Sequence, residues 1–256
     1  MATMTEINDL GTARDRIKSF LGPDAGRIVV LTGAGISTES GIPDFRSPGG
    51  LWSKMQPIDY QDFVADEASR LEDWNRRFQM AETFHKAEPN AAHTALAGLA
   101  STGRLSLLIT QNVDGLHQRS GVPESLLVEL HGNSTYASCL DCGRRAELED
   151  QRAAVEAGRS PVCVSCGGLL KAAVVSFGQM MPEDALIRAA EAARKADVFV
   201  VIGSSLVVHP AARLPVLAAQ AGAELIIINR DPTPIDPLAE VCIRTPIARS
   251  FVDFQP

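Results

Sequence analysis

The 256-residue chain has little that is basic, membrane-like or repetitive. Lys and Arg number 24 against 31 Asp and Glu, a formal charge of −7, and no basic run is present. That removes the electrostatic footprint of a nucleic-acid binder, so no direct nucleic-acid contact is expected. A locally cationic groove for an acidic ligand is compatible with the same sum. No apolar stretch approaches the ~18 residues of a membrane-spanning helix, and no membrane partner is expected. Met1 to Leu10 lacks a basic segment followed by an apolar core, so a secretory signal is not expected and the expected address is cytoplasmic. There is no internal repeat and no low-complexity tract. Cysteine is scarce as well: of five, Cys139, Cys142, Cys163 and Cys166 form two Cys-x-x-Cys pairs, and Cys242 stands alone. Without a secretory signal, metal binding outranks disulfides for such pairs.

What is there is a globular composition, 45% hydrophobic and 21% charged. It suits one large domain with room for a smaller insertion. The stretch Ile28–Ser47 organises the rest. Its β-branched run stops at Gly33-Ala34-Gly35, the pattern of a buried parallel strand feeding a glycine turn and a helix N-terminus. Glycines there let backbone N–H groups approach phosphate. A dehydrogenase continues with a short helix, a second strand and an acidic residue for the ribose. Here Pro43-Asp44-Phe45-Arg46-Ser47-Pro48 follows instead, which is loop chemistry. A dinucleotide is expected, ordinary hydride transfer is not.

Further along, Leu10, Ala13, Ile17, Phe20 and Leu21 predict an N-terminal helix, and Asn90 predicts a cap for a helix carrying His93, Leu96 and Leu99. Residues 47–89 are polar and irregular, with helix pieces around Asp66–Phe84. Strands are predicted at Ile28–Thr32, Arg104–Thr110, Leu127–Leu130, Val198–Ile202 and Leu225–Ile228, and the sheet pattern resumes after the cysteines at Ala172–Phe177. Strands alternating with helices predict an α/β fold, a doubly wound parallel sheet of Rossmann-like type with a smaller inserted lobe. Five strands end in polar or glycine clusters: Gly33–Gly35, Gln111–Asp114, His131–Asn133, Gly203–Ser205 and Asn229–Asp231. Ligands of open parallel sheets bind at such strand ends. The cysteines read Cys-x2-Cys-x20-Cys-x2-Cys, with Gly143 and Gly167 after the pairs. Four thiolates offered tetrahedrally close the shell of one structural Zn2+; iron–sulfur ligation and redox-active pairs are the alternatives.

Gly33-Ala-Gly-Ile-Ser-x-x-Ser-Gly-Ile-Pro-Asp-Phe-Arg46, Thr110-Gln-Asn-Val-Asp-Gly-Leu-His117, His131-Gly132, the cysteine pairs, Phe177-Gly178, Gly203-Ser-Ser205 and Asn229 occur in the order found in sirtuins. From about Ile28 to the C-terminus the chain resembles that family, in particular its mitochondrial and bacterial second class. The resemblance implies an NAD-dependent protein-lysine deacylase. In that reaction the acyl-lysine amide oxygen attacks the ribose C1′ of NAD, giving nicotinamide, free lysine and 2′-O-acyl-ADP-ribose. It implies a division into an NAD-binding domain (1–46, 90–133 and 172–256), a helical insertion (47–89) and a zinc module (134–171) that together form the small lobe.

By resemblance His131 is the general base and Asn112 a second catalytic candidate. Gly33, Ala34 and Gly35 cradle the diphosphate, and Ser37 offers a hydroxyl to phosphate or ribose. Asp44, Phe45 and Arg46 form a cofactor loop. Gln111 and Asn112 hold the reacting ribose, with Val113 beside them, and Asp114 receives the nicotinamide carboxamide. Gly203, Ser204 and Ser205 support the diphosphate and adenosine; Asn229, Arg230, Asp231 and Ala248 complete the cofactor-binding set. Val175, Phe177 and Gly178 belong to the segment that pairs with the acyl-peptide backbone as an added strand.

His85, His93, His117 and His209 read as structural, and Cys242 as core. The chain departs from the family pattern at Ala172, where proline is usual, and Gln179, where an acid is usual. Trp74 and Arg77 have the spacing at which desuccinylating sirtuins pair a tyrosine with an arginine, with half of that pair missing; a solvated helix face is the plainer reading. An NAD-dependent ADP-ribosyltransferase is the alternative function, and a nucleotide-sensing module a further one.

Overall fold

The computed structural model describes residues 4–45, 50 and 55–255. Arg46, Ser47, Pro48 and Trp52 lie outside them. The chain order is β1 (Thr5–Ile7), α1 (Leu10–Phe20), β2 (Ile28–Thr32), α2 (Tyr60–Ala65), α3 (Glu67–Lys86), α4 (Ala91–Ser101), β3 (Leu105–Thr110), α5 (Leu116–Arg119), β4 (Leu127–Glu129), β5 (Gly132–Cys139), β6 (Arg145–Glu147), α6 (Arg152–Glu156), β7 (Leu170–Val174), α7 (Glu183–Lys195), β8 (Val198–Ile202), α8 (Leu214–Gln220), β9 (Glu224–Ile228), β10 (Val241–Ile243) and α9 (Ile247–Ser250).

Seven strands form a parallel sheet in the order β1-β10-β9-β8-β2-β3-β4. β2 and β8 are buried at every position, as strands covered on both faces must be. Two apolar clusters flank the sheet. One holds Ile17, Val30, Leu96, Leu108 and Phe251; the other holds Leu31, Ile109, Ala189, Phe199 and Ile227. Their residues alternate along each strand, as the pleat requires.

From β2 the chain steps outward to β3 and β4, then returns to the other side of β2 for β8, β9 and β10. The β2/β8 junction is therefore the topological switch point, where open α/β sheets form a crevice beyond the strand ends. The glycines at this junction are also required by backbone packing. Gly33 and Gly35 spend their N–H groups on the carbonyls of Ile202 and Gly203. A Cβ on Gly33 or Gly35 would meet Gly203 backbone at 2.7 Å, and one on Gly203 (φ +67°) would meet the Ile36 nitrogen at 2.3 Å. The turn then continues as a 3-10 segment over Ala34–Ser40 in place of the expected α-helix start.

β7 does not resume the parallel sheet. It pairs antiparallel with β5 in a separate sheet, β6-β5-β7, so the sheet expected at Ala172–Phe177 belongs to the small lobe, and β5 and β7 run across positions 133/134 and 171/172. Alternation of side chains along β7 is set by this second core, which contains Phe63, Trp74, Phe78, Cys139, Cys163 and Leu170. α3, capped by Asp66 on the Ser69 N–H, supplies two of its aromatics. Asn90 caps α4 through the Ala92 N–H, and the His93 ring returns a bond from the Asn90 N–H. Among the described residues no helix is long and apolar enough to cross a membrane.

Candidate functional site

The strand ends open on a cleft of about 1270 Å3 bounded on its far side by the small lobe. Gly33, Ala34, Gly35, Asp44, Phe45, Gln111, Asn112, Val113, His131, Gly203, Ser204, Ser205, Asn229, Arg230 and Asp231 all line it, as do Val175, Phe177 and Gly178. The five polar strand ends noted in the sequence thus meet in one space. Each is carried by a strand of the parallel sheet, so burial of the strand fixes where its terminal polar residue emerges.

His131 follows β4 and is held at both its ring and its backbone. Its Nδ1 lies 3.0 Å from the Gln111 carbonyl, and its own carbonyl accepts the Val175 N–H at 2.9 Å. A carbonyl only accepts, so the neutral ring carries its proton on Nδ1 and Nε2 holds the lone pair. Gln111 in turn donates from Nε2 to Ser204 Oγ at 2.8 Å, tying the ends of β3 and β8 together. Asn112 is buried and donates to the Gly33 carbonyl (3.2 Å) and Ser37 Oγ (3.3 Å). Gly132, at φ +74°, is required by packing: a Cβ there would lie 2.0 Å from the Ala173 carbonyl.

Ser37 and Asp114 sit apart from the cleft wall. The Ser37 hydroxyl donates to Asp114 Oδ2 at 2.7 Å, and the Leu116 N–H donates to Oδ1 at 2.9 Å. This differs from a Ser37 aimed at phosphate or ribose. Both residues line a small adjoining pocket of about 20 Å3 with Ala34, Phe45, Phe84 and Asn112, room for about one water. Burial holds the Asp114 carboxyl above the usual carboxylate range. Ala248 is likewise outside the cleft wall. Its N–H is taken by Glu39 Oε1 at 2.7 Å, while its neighbours Ile247 and Arg249 face the cleft.

Asn229 donates to the Asp231 carbonyl at 2.7 Å, and Arg230 pairs with Asp231 at 3.1 Å. Sequence reasoning missed the residue that shapes this loop. Arg244 donates to the carbonyls of Asn229 (3.0 Å) and Asp231 (3.3 Å), pairs with Asp236 and lines the cleft. The signal was available: Arg244 directly follows the apolar run of β10, a sixth strand end of the same kind.

His117 and His93 are buried beside each other, ring centroids 5.0 Å apart, and His117 Nε2 lies 2.9 Å from Thr32 Oγ1. Burial keeps both neutral, His93 pulled down to about 4. Neither lines the cleft. Trp74 is not on a solvated face: it is 0% exposed, and its indole N–H donates to the Leu170 carbonyl at 3.3 Å. Arg77, one turn on, does line the cleft and is held by Asp73. At the two departures from the family pattern, Ala172 pairs with Ala137 in the sheet, and Gln179 accepts the Ser176 N–H at 3.1 Å.

The four paired cysteines converge at the end of the small sheet, every Sγ within 4.8 Å of the others, with Cys139–Cys166 at 3.5 Å and Cys142–Cys163 at 3.7 Å. Zn–S bonds of about 2.3 Å place tetrahedral sulfurs about 3.8 Å apart. The Ser165 N–H donates to Cys163 Sγ at 3.4 Å, a contact that favours the thiolate a metal needs. The four cysteines are positioned to hold one zinc ion. Cys242 is buried in β10 as core.

The Sir2 family profile matches residues 33–210. An NAD-dependent protein deacetylase of Rhodopseudomonas palustris is 54% identical over 231 residues, 90% of this chain and 91% of that protein. NAD-dependent protein deacetylase 1 of Bradyrhizobium diazoefficiens is 47% identical over 96% of this chain and 97% of its own length. Among solved structures, Sir2Tm bound to a propionylated peptide superposes with a TM-score of 0.81 at 34% identity, covering 93% of this chain and 95% of that one. A Sir2 homologue in complex with NAD superposes at 0.80 and 36% identity, over 97% and 93%. With the family profile over residues 33–210 and relatives this similar along nearly their whole length, the chain belongs to the Sir2 family.

Proposed function

We propose that this protein is an NAD-dependent protein-lysine deacylase whose substrates are acylated lysines in proteins. The observation that carries the reading is the meeting of Gln111, Asn112 and His131 in one cleft with Phe177 and Gly178, the imidazole held by Gln111 so that Nε2 is the basic nitrogen. The relatives that bear the names deacetylase and deacylase support it.

When bound, NAD supplies the electrophilic ribose carbon and nicotinamide as leaving group. The residues that would hold it fit a dinucleotide: the tight glycine junction at Gly33–Gly35 and Gly203, and Ser204, Asn229 and Arg230 along the same wall. Gln111 and Asn112 would orient the reacting ribose, and Asp114 in its adjoining pocket would meet the nicotinamide carboxamide. Phe45 would shield the reacting centre from water, with Arg46 as partner to diphosphate charge. His131 Nε2 would accept a ribose hydroxyl proton, a task suited to an imidazole at neutral pH. Val175–Gly178 would add the acyl peptide as a strand. Zinc would hold the small lobe without touching substrate. The division into an NAD-binding domain (1–46, 90–133, 172–256) and a small lobe (47–89, 134–171) is part of this reading. Four cysteines kept as thiolates suit a reducing compartment such as the cytoplasm.

The test is nicotinamide release from NAD with and without an acetyl-lysine peptide. Release that requires the peptide and yields acyl-ADP-ribose is expected. Transfer of labelled ADP-ribose to protein with no acyl product would establish the ADP-ribosyltransferase instead.

A further inference from the structure

The small-lobe wall of the cleft carries a cluster of charges that the proposed chemistry does not use. Asp73 is 4% exposed, an unusual position for a carboxylate, and one helical turn along α3 it meets Arg77. The contact is two-pronged, Nη2 to Oδ1 at 3.0 Å and Nε to Oδ2 at 3.4 Å. Both side chains line the cleft, next to Ile58, Met80 and Val174. The neighbouring cation, Arg76, is paired with Glu72 and donates to the Gln56 carbonyl. Behind them Lys171, 1% exposed, donates to the Val174 carbonyl and stands 5.8 Å from the centre of the Phe63 ring. Burial and the Arg77 charge pull its ammonium down to about 8.

We propose that Asp73 is a specificity-determining residue that reserves the acyl end of the cleft for uncharged acyl groups. The inference rests on the deacylase reading. An acyl chain that extends beyond its reacting carbonyl must leave the cofactor side, which the strand ends occupy, and run toward the α3 wall. There it meets the apolar Ile58, Met80 and Val174 and the stem of an arginine whose guanidinium is already matched. A neutral chain leaves that arrangement intact. A dicarboxylic chain brings a second carboxylate beside a buried one and has to displace Asp73 from Arg77 to be paired. Removing a buried carboxylate from its partner leaves a charge without compensation, so the displacement is strongly unfavourable. Replacing the Asp73 charge inverts the balance: the Arg77 guanidinium then faces the space with no carboxylate paired to it.

The test compares kcat/KM for acetyl-, propionyl- and succinyl-lysine forms of one peptide in the wild type, Asp73→Asn and Asp73→Asn/Arg77→Leu. Expected are a wild-type acetyl-to-succinyl ratio above 100, a fall of that ratio by at least tenfold in Asp73→Asn through a rise in succinyl turnover, and loss of the gain in the double variant. Asp73→Ser, tested alongside, reports the same change if the asparagine does not fold. A wild type that removes succinyl within tenfold of acetyl overturns the inference without recourse to any variant. So does a ratio unmoved in a folded Asp73 variant. A wild type that releases no nicotinamide with any of the three peptides overturns the deacylase reading, and the inference with it.

Discussion

The His131 imidazole has one nitrogen committed to a carbonyl, and a ring so committed has its basic lone pair fixed in direction before any ligand arrives. Losing the ring removes the proton acceptor and leaves the glycine junction, Gln111 and Ser204 in place. His131→Ala is therefore expected to lower peptide-dependent nicotinamide release at least 100-fold while NAD affinity, measured by calorimetry, changes by less than about threefold, in line with the ~10²–10⁴ carried by general acid–base steps. Lys171 yields a second prediction at this scale. Its folded pKa of about 8 lies below the 10.5 of an unperturbed lysine. Between those values the unfolded chain binds a proton that the folded one does not, so stability rises with pH. The stability difference between the wild type and Lys171→Met is expected to shift in favour of the wild type by on the order of 2 kcal/mol from pH 7.5 to 9.5, read by denaturant unfolding. A flat difference would show that the ammonium is better solvated than its burial implies.

Among the elements, β7 does most to connect the two halves of the molecule. It closes the small sheet beside β5, its residues Leu170 and Ala172 join the apolar cluster around Trp74, and that cluster also contains the buried sulfurs Cys139 and Cys163. Metal and core are thus one unit. Stripping zinc with a strong chelator, or Cys142→Ser, is expected to loosen this cluster and shift Trp74 fluorescence to the red, while far-ultraviolet dichroism from the parallel sheet is largely kept.

The parallel strands were legible in the sequence because burial on both faces leaves an unbroken β-branched run, as in Ile28–Thr32 and Val198–Ile202. β7 was not, because Leu170–Phe177 has the same apolar character and nothing local records which sheet it joins. β1 is three residues long, two of them exposed, and carries no period at all. The site was legible at the five strand ends where a polar cluster closes an apolar run, and was missed at Arg244, which follows the three-residue β10. It was illegible at Asp73, whose i,i+4 spacing to Arg77 looks like any surface ion pair until the helix is packed. The glycine turn also meets a packing demand that no local pattern records, since the Gly33 and Gly35 N–H groups bond to the facing end of β8.

For the whole molecule, acid is the condition to which the fold is most exposed. His93 and His117 are neutral and buried between α4, α5 and the end of β2, and each would be protonated in the unfolded chain below its ordinary value of 6.5. Their contribution is complete above pH 6.5 and is lost as pH falls toward the folded value, about 4 for His93. By pH 5 His93 alone is expected to cost about 2 kcal/mol. His93→Gln should flatten the decline in unfolding midpoint between pH 7 and pH 5, and a slope equal to the wild type's would place the acid sensitivity elsewhere, in the cysteine cluster for instance.

The bond from the Val175 N–H to the His131 carbonyl has a thermodynamic consequence. The segment proposed to receive the peptide and the residue proposed to act on the ribose share one backbone hydrogen bond, and His131 is tied in turn through Gln111 to Ser204 at the end of β8. A shift of that hydrogen bond by one ligand is felt by the other, and the coupling free energy belongs to the pair. Whatever factor bound NAD applies to peptide affinity, bound peptide must apply the same factor to NAD.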